Sequence, residues 1–150
     1  MDNLQQFDVW LAALLNKMEP TQRSRMLREV ARDVRKIQQA NITAQRAPDG
    51  TAWEPKRITA RTKKGRIRRK MFTKLKTAKY LKAQANANQA EVSFAGQVQR
   101  LARVHHYGLR DKVNRRGTEV KYTARSLLGI TINNESEIEE ILIRWLSLKE

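Results

Sequence analysis

The segment that most constrains this chain runs from Pro55 to Ala90 and contains no acidic residue. Between positions 56 and 82 it carries thirteen basic residues, which are Lys56, Arg57, Arg61, Lys63, Lys64, Arg66, Arg68, Arg69, Lys70, Lys74, Lys76, Lys79 and Lys82. A segment with this much like charge and so few apolar side chains buries too little surface to offset the cost of ordering it. We therefore predict that residues 55–70 form a basic mobile loop in the free protein.

The distribution of charge also indicates what kind of partner the chain meets. The 150 residues include 31 Lys and Arg against 15 Asp and Glu, a formal net charge of +16. This charge predicts an acidic partner, either nucleic acid or an acidic protein surface. The C-terminal segment has the opposite sign, with Glu135, Glu137, Glu139, Glu140 and Glu150. The asymmetry indicates two surfaces with different partners, or one surface that meets the other on a neighbouring copy.

Several classes of protein are excluded by composition. There is no cysteine, which excludes disulfides, thiolate metal sites and a cysteine nucleophile. The longest apolar run, residues 9–15, is far shorter than the roughly 20 residues that span a bilayer, so we expect no contact with a membrane. No basic region precedes an apolar one at the start, and we therefore expect no secretory signal and an intracellular site of synthesis.

Two amphipathic helices are predicted at the start of the chain. Apolar residues at helical spacing predict a first helix over residues 3–18, and they are Leu4, Phe7, Leu11, Leu14, Leu15 and Met18. Pro20 interrupts this pattern, and Thr21 is the predicted N-cap of a second helix. The apolar stripe of that helix is Leu27, Val30, Val34 and Ile37, and it continues less clearly to Ile42. Together these helices predict a helical hairpin over residues 2–47.

A turn is predicted where the second helix ends. Pro48 restricts φ, Asp49 bonds its own backbone, and Gly50 takes a positive φ. Trp53 follows this turn, and because a Trp side chain buries a large area it is predicted to anchor the core.

The segment after the basic loop predicts a mixture of short elements. Met71 and Leu75 begin a short helical stripe that ends near residues 80–81, and residues 83–90 read as a polar connector. Residues 91–95 alternate in polarity and predict a strand closed by Gly96.

Two further helices are predicted toward the C-terminus. The first ends before Gly108 as a left-handed stop, and its apolar positions are Val98, Leu101, Ala102 and His105. Residues 109–126 predict a loop or hairpin. In the last helix Asn134 and Glu137 form a predicted capping box. The apolar face of that helix is Ile138, Ile141, Leu142, Trp145 and Leu148.

These elements predict one domain of class α+β over residues 1–150, with helices dominant. Its parts are the helical hairpin (2–47), the basic loop (55–70) and an α+β remainder (71–150). That remainder contains a small β element and a C-terminal amphipathic helix.

No catalytic site is predicted. The only histidines, His105 and His106, are adjacent, and adjacent residues on a helix point about 100° apart, so the two cannot ligate one metal as an i, i+4 pair does. We expect one of them to be packed and the other exposed. The carboxylates near the start of the last helix fit a solvated first turn. We therefore expect no catalytic residue, no metal and no cofactor.

Five segments give the chain a resemblance to a known family. In order they are RAPDGTAWEPK (46–56), KMFTKL (70–75), VSFAG (92–96), ARVHHYG (102–108) and ARSLLG (124–129). The order of these segments, the total length of the chain and its helical ends all resemble the phage virion morphogenesis family. The resemblance covers nearly the whole chain. It departs from the family pattern at His106, where Gln is more common, and at Ser126, where Pro is more common.

The resemblance implies a structural assembly factor rather than an enzyme. Such proteins act late in tail morphogenesis and finish the head-proximal end of the tail, so that it can join a filled head. Residues of the matching segments are expected to have structural roles, and they are Pro48, Asp49, Gly50, Trp53, Phe72, Phe94, Gly96, His105, Gly108, Arg125, Leu128 and Gly129.

The resemblance also implies partners for the basic loop. Because a tail end has rotational symmetry, we expect a ring-like homo-oligomer that meets the tail tube or tail terminator and the head connector proteins, in the virion after assembly in the host cytoplasm. The candidate contact residues are Lys63, Lys64, Arg66, Arg68, Arg69 and Lys70. They contact either an acidic protein surface or packaged DNA. The alternative function is a small basic protein that binds DNA without sequence preference.

Overall fold

The structure is a computed structural model that describes residues 3–57 and 70–147. In these ranges it has four helices and two small antiparallel sheets, which confirms the predicted α+β class. The elements are α1 (Asn3–Leu15), α2 (Pro20–Thr43), β1 (Leu81–Ala85), β2 (Ala90–Phe94), α3 (Gly96–Tyr107), β3 (Arg110–Lys112), β4 (Glu119–Lys121) and α4 (Ile132–Ser147). No described helix is both long and apolar enough to cross a bilayer.

The basic loop predicted over residues 55–70 falls largely outside this description. Of its candidate contact residues, Lys63, Lys64, Arg66, Arg68 and Arg69 lie outside the described residues. Lys70 is described and is exposed. The prediction of mobility therefore stays a prediction.

Helices α1 and α2 are confirmed, with corrections at their ends. Helix α1 ends at Leu15 rather than at residue 18, because the Met18 amide donates to the Leu15 carbonyl oxygen in a turn (3.3 Å). The prediction that Thr21 caps α2 is wrong. Glu19 is the N-cap residue and Pro20 opens the helix, where its missing N–H costs no hydrogen bond.

The buried stripe of α2 also differs from the prediction in its second half. Ile37 is only half-buried, whereas Gln38 and Asn41 are buried; the continuation of the stripe to Ile42 is confirmed. Gln38 is buried because its side-chain amide bonds the backbone of Gly129, which satisfies a polar group inside the core.

Residues 71–90 are the largest error of the sequence-based prediction. The predicted helical stripe near Met71 is a series of turns, and the predicted connector over residues 83–90 contains the last three residues of β1 and the first residue of β2. These strands pair antiparallel, with Leu81 opposite Phe94 and Ala85 opposite Ala90. The hairpin packs on α2, and this contact overrides the helical preference of its Ala and Gln residues.

The C-terminal half follows the prediction more closely. The strand predicted over residues 91–95 is β2, and the predicted hairpin in residues 109–126 is formed by β3 and β4. Helix α3 ends before Gly108, but it starts at Gly96, and Leu101 is exposed. The predicted capping box of α4 is wrong by one turn. It is formed by Thr131 and Asn134, each of which accepts a hydrogen bond from the backbone N–H of the other.

Two clusters of buried side chains hold the described residues together. The helical core joins α2 to α4, with α1 packed against it, and consists of Met18, Met26, Leu27, Val30, Val34, Ile138 and Leu142. The second core consists of Ile42, Trp53, Leu75, Leu81, Phe94, Ala102 and Leu127. Since α2 contributes to both, it is the common support of the fold.

Candidate functional site

The predicted turn after α2 is confirmed in detail. The Gly50 amide donates to the Ala47 carbonyl oxygen (2.9 Å), and the Thr51 amide donates to the Asp49 carboxylate (2.9 Å). Gly50 has a φ of +91°, which favours glycine. The hydrogen bond from Thr51 holds the pKa of the Asp49 carboxyl below its ordinary value. The chain therefore reverses direction at a defined point directly before Trp53.

Trp53 leads a row of four aromatic rings. Its side chain is 8% exposed, and its indole N–H donates to the Ser126 carbonyl oxygen (2.9 Å). The Trp53 and Phe72 ring centroids are 5.6 Å apart, those of Phe72 and His105 are 4.9 Å apart, and those of His105 and Tyr122 are 4.7 Å apart. All three contacts are edge-to-face, a favourable geometry for aromatic rings. The row joins four segments that are distant in sequence.

Arg125 holds the chain where the basic loop begins. Its side chain is only 6% exposed, and its guanidinium donates to the carbonyl oxygens of Glu54 (2.8 Å) and Pro55 (3.2 Å). Its own amide donates to the His105 carbonyl oxygen (2.8 Å). Arg125 thus fixes residues 54–55 against the end of α3.

Gln45 holds the chain where the basic loop ends. Its side-chain amide donates to the Met71 carbonyl oxygen (2.8 Å) and accepts from the Met71 amide (2.7 Å). Gln45 itself has a φ of +57°, a conformation that non-glycine residues rarely adopt. Because Trp53 and Phe72 are in contact, both ends of residues 56–70 are held side by side. We call Gln45, Trp53, Phe72, His105 and Arg125 the anchor cluster.

The side chains of both histidines are removed from solvent, His105 almost completely and His106 in part. His105 is buried, and burial lowers the pKa of its imidazole, with a further lowering by the Arg125 guanidinium. His106 is half-buried, and its Nδ1 accepts a hydrogen bond from the Leu127 amide (3.0 Å). Burial lowers the pKa of His106 as well. The prediction that one histidine is exposed is therefore wrong.

Two glycines allow close approach of the segments around the anchor cluster. Gly108 has a φ of +67°, and a Cβ atom there would lie 2.8 Å from the Ala124 amide nitrogen. A Cβ atom at Gly129 would lie 3.0 Å from Pro48. Both contacts are tighter than a side chain tolerates without movement of its neighbours.

The structure brings together most of the residues selected from the sequence. Ten of them lie in or beside the anchor cluster, and they are Pro48, Asp49, Gly50, Trp53, Phe72, His105, Gly108, Arg125, Leu128 and Gly129. Phe94 is buried in the second core, and Gly96 opens α3. Sequence reasoning missed Gln38, Gln45 and Tyr122, because nothing in one sequence shows that these residues contact distant segments. No group of three or more metal-ligating residues was found in residues 3–57 and 70–147.

Known proteins match this chain over a range that includes all five segments named above. The family model described as the phage virion morphogenesis family matches residues 2–147. The chain is 37% identical over 148 residues to tail completion protein S of Escherichia phage P2, an alignment that covers 97% of this chain and 99% of that protein. No solved structure matches the chain. The matched region includes every helix and strand described above and the whole anchor cluster.

Proposed function

The chain belongs to the phage virion morphogenesis family, and we propose that it finishes the head-proximal end of a phage tail so that the tail can join a filled head. The observation that carries this proposal is the 37% identity to tail completion protein S over 97% of the chain. The proposed role is structural and not enzymatic. It places the protein in the tail or neck of the virion, after assembly in the host cytoplasm.

The anchor cluster supports this proposal because it explains what the matching segments do. They meet in space around the two ends of the basic loop, where Arg125 of one segment holds one end and Gln45, directly before another segment, holds the other. A buried side chain that bonds two backbone carbonyls is costly to lose, since each carbonyl is left without a partner. In this proposal the cluster is the rigid base from which the fold presents its cations to a partner.

The proposed partners are those of a tail end. Copies of the chain form a closed ring on the tail tube or tail terminator, and the ring meets the head connector. The basic loop of each copy contacts an acidic surface, which is a neighbouring protein, the acidic α4 of the next copy, or DNA in transit. The contact residues are Lys63, Lys64, Arg66, Arg68, Arg69 and Lys70.

Electron microscopy of tails assembled with and without the protein tests the main proposal. We expect tails that lack it to end differently at the head-proximal side and to remain unjoined to heads. Addition of purified protein to such tails should restore joining. Tails that end identically in both samples and join heads equally well would refute the proposal.

A five-site variant tests the role of the basic loop. Neutralisation of Lys63, Lys64, Arg66, Arg68 and Arg69 to Gln should leave the fold intact and block joining. The matched control neutralises five exposed cations of the β3–β4 hairpin, Arg110, Lys112, Arg115, Arg116 and Lys121. This control lowers the net charge equally, and it should join heads normally. Full activity of the loop variant would contradict the proposed contact.

Binding of DNA without sequence preference is the second candidate, favoured by the density of cations in the basic loop. For a protein that neutralises about six phosphates, a plot of log affinity against log salt concentration should have a slope of about −5. The protein should retain roughly micromolar affinity at physiological salt. If a salt titration on duplex DNA shows this slope and tails are unaffected by loss of the protein, the second candidate replaces the first.

A further inference from the structure

The solvent-facing side of α2 carries a straight row of cations. Arg25, Arg28, Arg32 and Lys36 are all exposed and are spaced three, four and four residues apart. Residues at this spacing lie on one line along a helix. The row is about 16 Å long at the rise of an α-helix.

A row of carboxylates runs beside these cations. Helices α2 and α4 pack antiparallel. Glu29 in the first half of α2 meets Arg144 near the end of α4 (2.5 Å), whereas Asn41 near the end of α2 shares a pocket with Ile132 at the start of α4. The open groove between them has a volume of about 640 Å³, and Arg32, Asp33, Lys36, Glu137 and Glu140 line it. The carboxylates of Asp33 on α2 and of Glu137 and Glu140 on α4 therefore lie in the groove, along the side of the cationic row that faces α4.

Most of these charges have no partner within the described chain. Glu29 is satisfied by Arg144 and by the indole N–H of Trp145. Among the described residues, Arg32 and Lys36 form no ion pair with Asp33 on their own helix or with Glu137 and Glu140 across the groove. Charges of both signs are thus displayed side by side in two lines and are available to a partner.

The face is close to neutral in a strongly cationic chain. It holds five cations and four carboxylates, whereas the whole chain has a formal net charge of +16. Because of this charge, two copies repel each other when most of their surfaces approach, but the nearly neutral α2–α4 face adds little repulsion. Duplex DNA is a poor occupant, because its phosphates would meet the carboxylate row at the same time as the cations.

We propose that this α2–α4 face binds the same face of a second copy. A two-fold axis that runs along the helices between the rows exchanges them, so the cationic row of one copy lies opposite the carboxylate row of the other. Ile143 is 53% exposed and lies three residues after Glu140, which adds an apolar group to the charged contact. Such an interface closes on itself, so the free protein stops at a dimer. This inference goes beyond the proposed function and does not depend on tails.

Sedimentation of the purified full chain tests the dimer. At about 50 mM salt we expect a species of twice the 17.5 kDa chain mass. At about 500 mM salt the dimer should dissociate more readily, because salt screens exposed charges. A monomer at low salt and at tens of micromolar protein would overturn the inference.

Charge-reversal variants identify the face. One variant carries Arg32→Glu and Lys36→Glu, and the other carries Glu137→Lys and Glu140→Lys. Each alone should dimerise roughly tenfold to a hundredfold more weakly, because like charges then face each other. An equimolar mixture should restore the dimer, since both rows are again opposite in sign, and restoration also shows that both variants are folded.

The matched control reverses two exposed cations elsewhere, Arg110→Glu and Lys121→Glu on the β3–β4 hairpin. It changes the net charge as much as Arg32→Glu with Lys36→Glu, and it should dimerise like the parent. A mixture of the two face variants that stays monomeric would overturn the proposed pairing. So would face variants that dimerise like the parent, or a parent that is monomeric and uses Arg32 and Lys36 to bind duplex DNA.

Discussion

The helical core buries apolar side chains against one another, whereas the anchor cluster buries side chains that also bond backbone groups of distant segments. In the helical core Leu142 is 1% exposed and is surrounded by aliphatic residues of α2 and α4. In the anchor cluster Trp53, Arg125 and Gln45 each bond a carbonyl oxygen far away in sequence. The first region therefore depends on volume and pattern, and the second depends on individual atoms.

This difference predicts unequal tolerance to substitution. A change that conserves volume in an aliphatic core usually costs less than about 1.5 kcal/mol. A change that leaves a buried donor or acceptor without a partner costs about 1–3 kcal/mol even when volume is conserved. The following substitutions compare the two regions, from the largest expected effect to the smallest.

The largest effect is expected at Trp53. The change Trp53→Ala should lower the free energy of unfolding by about 3–5 kcal/mol, because it removes a buried ring. Trp53→Phe keeps most of the ring but loses the hydrogen bond to Ser126, so its cost should be smaller. Chemical denaturation measures both. Unfolding of Trp53→Ala that matches the parent would show that Trp53 does not support the cluster.

Substitutions of Gly108 and Gly50 by Ala distinguish the cost of backbone strain from the cost of a steric clash. Both have positive φ, but a Cβ atom at Gly108 meets Ala124 whereas one at Gly50 meets nothing within 4 Å. Gly50→Ala should therefore cost about 1 kcal/mol from φ alone. Gly108→Ala should cost about 2–3 kcal/mol, because Ala124 must also move. Thermal unfolding measures both variants. If Gly50→Ala and Gly108→Ala lose the same amount of stability, Ala124 moves aside at no cost and the crowding at Gly108 has no effect.

Gln38, which bonds the backbone of Gly129 beside the anchor cluster, and Leu142 of the helical core compare a polar with an apolar contact at nearly constant volume. Gln38 is 2% exposed, and its side chain both donates to the Gly129 carbonyl oxygen and accepts from the Gly129 amide. Gln38→Met leaves both groups unsatisfied and should cost about 1–3 kcal/mol. Leu142→Met should cost less than about 1.5 kcal/mol. If denaturant titration finds the two variants equally stable, the contrast between the regions is wrong.

The smallest effect is expected from pH, and between about pH 7.5 and about pH 5.5 it should arise at His105 of the anchor cluster and at its neighbour His106. The pKa values of His105 and His106 are lowered in the folded protein, by burial and, for His105, also by Arg125 against an opposing effect of Asp111. The unfolded chain therefore takes up protons at a higher pH than the folded one. Stability should be complete above about pH 6.5 and should fall as the pH drops through the folded-state values.

Thermal unfolding at about pH 7.5 and about pH 5.5 measures this dependence. The control is His105→Phe combined with His106→Gln, which removes both titrating groups and keeps an acceptor for the Leu127 amide. The difference in Tm between the two pH values should be smaller in the control than in the parent. A parent whose Tm rises on acidification would contradict the expected loss of stability at low pH.

The accuracy of the sequence-based predictions follows the same division. Helix α2, the stop at Gly108 and the turn at Gly50 were predicted because each is encoded within a few neighbouring residues. Of the two strands in the β1–β2 hairpin, β2 was predicted and β1 was not. Residues 81–85 (LKAQA) have no strong strand preference, and they form a strand only because β2 and α2 lie beside them.

The amino-acid sequence by itself determined the family, the helices and the separation of charge, since periodicity, turn chemistry and composition are local properties. Only the tertiary structure decided that four of the five matching segments meet in the anchor cluster, at the two ends of the basic loop. Its contacts join residues far apart in the chain, 26 positions for Gln45 and Met71 and 71 positions for Arg125 and Glu54. Such pairs form because the packed chain removes their backbone groups from water, and a buried carbonyl or amide then requires a partner wherever it lies in the sequence.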